Sequence, residues 1–252
     1  MRTDEFKGRM AAGDELIGTF VKTPRQEIVE ILAVSGLDFI CLDAEHAPFG
    51  RAELDVCLAV ARALDLPTLV RVARARPEAV LQALDMGAAG IVAPHVGSAE
   101  VAADVARWSR FGPGGRGFAG STRFGGLGVR PMRDVLAASD ETVVIVQAES
   151  PEAVAAAPEI AGTEGVDALF LGPSDLSVAL GVDPGSAEID AARRAIGAAT
   201  RGAGKTFATW VRSAAAAGPA REAGVTMLFV ASEQAWMLAG AQATVADLRG
   251  KA

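Results

Sequence analysis

A single α/β domain folded as a (β/α)8 TIM barrel is what this sequence predicts, on three observations. Short apolar runs rich in strand-forming residues alternate with alanine-rich helical stretches through nearly all of the 252 residues. Eight strands with intervening helices in about 250 residues is the size of such a barrel. Polar side chains follow at least four of the runs, where a barrel gathers its chemistry at the carboxyl ends of its strands. A doubly wound open sheet competes, but it would collect ligands mainly at one switch point. No Pro/Ser linker or compositional break divides the chain, so one domain over residues 1–252 is expected.

In chain order the strand candidates are Leu16–Val21, Phe39–Leu42, Thr68–Arg71, Gly90–Ala93, Thr142–Gln147, Ala168–Leu171, Thr206–Thr209 and Met227–Val230. Helices are expected between them at Pro77–Asp85, Ser98–Trp108 and Ala187–Arg201. In the first of these, Val80, Leu81 and Leu84 share a face, and Pro77 suits a first helical turn. The alanine runs 153–157 and 214–217 fit tightly packed helices. A glycine-rich stretch, 111–128, breaks the rhythm. It contains G-x-G-x-x-G at Gly112, Gly114 and Gly117, but a helical segment precedes it and Pro113 lies inside it, so a dinucleotide site is not expected. The expectation is a mobile loop over the barrel mouth, with Arg116 or Arg123 reaching toward substrate; a plain surface loop is the alternative.

Composition narrows the chemistry. A net charge of −7, from 24 basic and 31 acidic residues, argues against a nucleic-acid partner. No apolar run approaches the roughly 20 residues of a membrane-spanning helix. The first ten residues carry mixed charges and no apolar stretch, so a cytoplasmic protein is expected. Two cysteines, Cys41 and Cys57, make neither a disulfide framework nor a thiolate metal site. With only His46 and His95, a three-histidine zinc site is impossible in one chain. Of the few lysines, only Lys22 and Lys205 lie near strands, which limits imine chemistry.

Glu149 and Asp175 each stand just beyond an apolar strand. Two carboxylates with water and substrate oxygens suit a hard cation such as Mg²⁺ or Mn²⁺; alternatively each caps the helix that follows. His46 follows Asp43-Ala44-Glu45, and a histidine there can take and return a proton. Asp43 and Asp85 are candidates to orient its ring. Arg71 closes its strand and, if buried, needs an anion: a substrate oxygen or a glutamate of the barrel. The amides of Gly172-Pro173-Ser174-Asp175 form an anion cradle in which Ser174 and Asp175 must donate, since Pro173 has no N–H. His95, which follows a strand after Pro94, is a weaker candidate for the role given to His46; the alternative is that it simply lines the mouth.

Read together, Leu42-Asp-Ala-Glu-His46-Ala-Pro48, Val70-Arg71-Val72, Leu84-Asp85-Met-Gly87, Gln147-Ala-Glu149 and the run 164–176 resemble the HpcH/HpaI family, over about Gly18 to Leu248. That family contains class II pyruvate aldolases of the 4-hydroxy-2-oxoheptanedioate and 2-dehydro-3-deoxyglucarate types. The resemblance implies a (β/α)8 barrel, usually hexameric, with Mg²⁺, Mn²⁺ or Co²⁺ on Glu149 and Asp175. It implies His46 as proton acceptor, Asp85 as the carboxylate raising its basicity, and Arg71 as the cation on the enolate. Gln147 and Ser174, with Gly172, Pro173 and Asp175, would contact the oxo acid. The chain departs from many relatives at 117–125, at Ala208-Thr-Trp210, and at His95. The expected reaction is reversible aldol addition of a pyruvate-type enolate to an aldehyde. The alternatives are a Lys22 imine aldolase, an acyl-CoA ester lyase, and a non-catalytic oxo-acid-binding barrel.

Overall fold

The computed structural model describes residues 2–250. Eight parallel strands close in chain order: β1 (Leu16–Val21), β2 (Phe39–Asp43), β3 (Thr68–Arg71), β4 (Gly90–Ala93), β5 (Val143–Ala148), β6 (Ala168–Leu171), β7 (Thr206–Val211) and β8 (Met227–Ser232). The barrel is therefore present and the open sheet is not. Four strands have the expected bounds, and the other four run one or two residues further at their carboxyl ends. Those extra residues carry the pairing up to the rim where the polar groups begin.

Side chains alternate between two apolar layers, as parallel strands buried on both faces require. Inside the barrel, Phe20, Phe39, Phe170 and Phe229 stack in tilted and edge-on contacts, with ring centroids 4.8–6.1 Å apart. Outside it, Val, Leu, Ile and Ala from the strands pack on the helices. The β3–α4 unit shows how. Helix α4 (Pro77–Asp85) starts on Pro77 and buries Val80, Ala83 and Leu84; Leu81, assigned to the same face by the pattern, is only partly buried.

The sequence pattern assigned no element before Leu16, yet α1 (Arg2–Ala12) precedes it. Its Phe6 and Met10 enter the interior cluster, with Phe6 packed 5.7 Å from the Phe39 ring, so this helix stoppers the amino end of the barrel. At the other end of the chain, α12 (Glu233–Leu248) buries only Glu233, while Trp236, Met237, Leu238 and Leu248 are exposed. No helix among the described residues is long and apolar enough to cross a membrane.

The glycine-rich stretch does not line the cavity at the mouth. Arg116 is buried there, its guanidinium 4.2 and 4.1 Å from the Phe111 and Phe124 ring centres. Arg123 pairs with Asp55 at 2.8 Å and packs on Gly87. The segment is thus pinned beside α4, and neither arginine lines the cavity at the mouth. Glycine content indicated freedom; a cation between two rings anchors the segment at Arg116.

Candidate active site

At the carboxyl end of the strands lies a cavity of about 560 Å³, walled by Lys22, His46, Arg71, Gln147, Gly172 to Asp175, Trp210 and Arg212 among others. Every named wall residue sits at, or within a few residues of, the end of β1, β2, β3, β5, β6 or β7. His46, Arg71, Gln147 and the 172–175 cradle therefore meet at one place, as expected.

Arg71 and Asp43 are register partners on β3 and β2. The guanidinium grips Asp43 through two bonds, Nε to Oδ1 at 3.0 Å and Nη2 to Oδ2 at 2.7 Å. Its structural partner is therefore an aspartate of the adjacent strand; Glu45 stands further off, 3.4 Å from Nε. The guanidinium also lies 4.4 Å over the Phe20 ring. Burial pushes the Asp43 carboxyl up, but the Arg71 bonds and charge outweigh it and hold the group below its usual range. Burial likewise disfavours the Arg71 charge, and Asp43 more than restores it. Both partners tell the same story: the pair is ionised.

His46 follows a turn in which its own N–H donates to Asp43 Oδ1 at 3.1 Å. Its ring meets neither of the aspartates considered for it. The carboxylate beside the ring is Glu45, 3.6 Å from Nε2. Asp85 lies at the end of α4, where Arg116 faces it at 3.8 Å. Burial raises the Asp85 pKa, opposed by Arg116 and Arg51. Within one chain, then, the carboxylate assigned to raise the basicity of His46 has Arg116 of the glycine-rich segment, not the His46 ring, as its charged neighbour.

Glu149 is buried, and it does not cap the next helix. Ser150 takes that role for α7 (Pro151–Ala155), accepting from the Ala153 amide. Glu149 Oε1 instead accepts from the backbone N–H of His95 at 2.7 Å, and Oε2 from the Gln147 side chain. Burial raises the Glu149 pKa; the His95 contacts oppose this, and the charges of Asp175 and Glu45 add to it. Asp175 belongs to the exposed first turn of α9 (Pro173–Leu180), whose leading amides have no intrahelical acceptor. Gly172 is there for room: a Cβ would fall 2.8 Å from Glu149 Oε2 and 3.1 Å from Gln147 Nε2.

Sequence reasoning missed one contributor and underweighted another. His95 is more than mouth lining: its Nδ1 lies 2.7 Å from Glu149 Oε1 and its Nε2 lies 3.0 Å from Glu45 Oε1. Glu45 was passed over beside Asp43, yet it touches His46, His95 and Arg71. The visible signal was the acidic pair Asp43 and Glu45 on either side of one alanine at a strand end.

The donor set suits a hard divalent cation. Glu149 and Asp175 offer carboxylate oxygens, and the Gln147 Oε1 is buried without a hydrogen-bond partner. Among the described residues no cluster of three His, Cys, Asp or Glu side chains could hold a metal unaided. Water and a chelating substrate would have to complete the coordination.

Known proteins share this architecture. Residues 16–238 match the family model described as HpcH/HpaI aldolase/citrate lyase. A hydroxypyruvate/pyruvate aldolase of Paraburkholderia phytofirmans is 32% identical over 98% of both chains. A 5-keto-4-deoxy-D-glucarate aldolase of Klebsiella pneumoniae is 36% identical over 71% of this chain and 70% of its own. The crystal structure of a family member from Burkholderia cenocepacia superposes with a TM-score of 0.92 at 33% identity, covering 98% of this chain and 99% of that one.

Proposed function

We propose that this chain, which belongs to the HpcH/HpaI aldolase/citrate lyase family, is a metal-dependent class II aldolase that adds the enolate of pyruvate or hydroxypyruvate to an aldehyde, and reverses that addition. The observation that carries the reading is one cavity at the strand ends that His46, Arg71, Gln147 and Asp175 line together, with Glu149 bonded to the wall residue Gln147. The aldolase names of its relatives support it.

Glu149 and Asp175 would hold the cation, Mg²⁺, Mn²⁺ or Co²⁺, with Gln147 beside them. When bound it supplies Lewis acidity toward the keto oxygen and so makes the C3 protons more acidic. The Ser174 and Asp175 amides, at the positive end of α9, orient the substrate carboxylate. Arg71, kept charged and aimed by Asp43, stabilises the negative charge that develops on the enolate oxygen. His46 takes the C3 proton and returns it in the cleavage direction, with Glu45 as the carboxylate beside its ring. No part in this scheme falls to Asp85 within a single chain. Assembly with further copies in the cytoplasm belongs to the same reading; the bare apolar side chains of α12 are its support.

The test is deuterium exchange at C3 of pyruvate. Exchange should vanish after exhaustive chelation and return with Mn²⁺. Metal-independent exchange, with a borohydride-trapped adduct on Lys22, would instead establish the imine route; Lys22 does line the cavity.

A further inference from the structure

His95 is the group that the scheme above leaves unused, and three observations meet on it. Its backbone is left-handed, at φ 56°, a region that residues other than glycine seldom occupy. That conformation lets one residue present both its amide and its ring nitrogen to the same oxygen, Glu149 Oε1, each at 2.7 Å. The other ring nitrogen reaches Glu45 Oε1 at 3.0 Å. Glu45 in turn touches His46 and Arg71. Local strain of this kind persists only where the surrounding contacts enforce it.

We propose that His95 is a positioning residue that fixes the Glu149 carboxylate for the divalent cation and ties it to Glu45. The inference rests on the metal-aldolase reading. Each carboxylate oxygen has two lone pairs, so Oε1 is filled by the amide and ring of His95, while Oε2 accepts from Gln147 and keeps a lone pair for a cation. Partners of this kind orient a ligand before the metal arrives, and losing one typically weakens metal affinity by about 10- to 100-fold. Through Glu45 the same imidazole sets the spacing between the half of the site that would hold the cation and the half that would move the proton. One ring therefore serves two jobs.

Two substitutions separate the ring from the backbone. His95→Gly keeps the left-handed turn and the amide bond to Glu149 but deletes the imidazole. His95→Asn tolerates the same backbone and restores a side-chain donor. Mn²⁺ binding, followed by paramagnetic resonance of the free ion, should weaken about tenfold or more in His95→Gly and recover in part in His95→Asn. Pyruvate C3 exchange at saturating Mn²⁺ should fall as well, because Glu45 loses its anchor. Mn²⁺ affinity within about twofold of the parent would overturn the positioning role. Normal exchange at saturating Mn²⁺ would overturn the link to Glu45. If His95→Gly fails to fold, His95→Ala, which also lacks the ring donor, compared with His95→Asn decides on the same two readouts. Failure of the underlying reading looks different: the unsubstituted protein would itself bind no Mn²⁺ and exchange no C3 proton.

Discussion

Arg71 and Arg116 are both buried, and their surroundings predict opposite responses to the same substitution. Arg71 satisfies a fully buried aspartate with two good bonds. Arg71→Met should cost about 3–5 kcal/mol in urea unfolding, because it removes the main counter-charge of a fully buried Asp43. Arg116 has no hydrogen bond to any of its three side-chain nitrogens, and burial pushes it down to about 10. Arg116→Met should leave the urea midpoint unchanged or raise it, since an apolar chain fits between two phenyl rings without three orphaned donors. A lower midpoint would show that the contact with Asp85 and the rings outweighs that cost. The Asp43 pair also sets acid stability. Its folded pKa lies below the unfolded value of about 3.9, so its contribution is complete above that pH and drains away as the pH falls through the lower folded value. Arg71→Met should flatten that part of the stability profile. The sequence left the Arg71 partner open between substrate and barrel because the answer lies in the β2–β3 register, and register is not a local property.

Among the elements, those whose composition and function agree were the legible ones. Apolar runs bounded by turn residues gave all eight strands, and Pro77 with its apolar stripe gave α4 to the residue. The glycine-rich segment failed for the opposite reason. Its conformation follows from Arg116 meeting Phe111 and Phe124, a contact that the count of glycines conceals. The helix α1 was overlooked because only two of its side chains do the anchoring, Phe6 and Met10. Glycine matters more inside β4. A Cβ at Gly90 would lie 2.2 Å from the Val143 carbonyl oxygen, and backbone cannot swing aside. Gly90→Ala should therefore lose about 1–3 kcal/mol by denaturant titration. Gly240→Ala, on α12 with nothing within 4 Å, should hold or gain stability. Equal behaviour of the two would mean that β4 and β5 can part more easily than their close approach implies.

At the scale of the whole molecule, the site could be read in outline from the sequence but not in its wiring. Which strands deliver His46, Arg71, Gln147, Glu149 and Asp175 was legible, because polar residues after apolar runs leave few other places for them. Which carboxylate meets which cation was not: Asp85 turned out beside Arg116, and Glu45 stands where an aspartate was expected. Those pairings depend on how loops from neighbouring strands lean over the rim.

The stopper formed by Phe6 and Met10, under tightly layered phenyl rings, closes the amino end of the barrel interior, so traffic to the cavity runs through the carboxyl rim. Whatever settles deepest must arrive first and depart last. On the aldolase reading, cleavage would release the aldehyde ahead of the keto acid. Pyruvate should accordingly inhibit competitively against the hydroxy-keto acid, whereas the aldehyde should give a noncompetitive pattern. Steady-state rates with each product added in turn would reveal the sequence of exits.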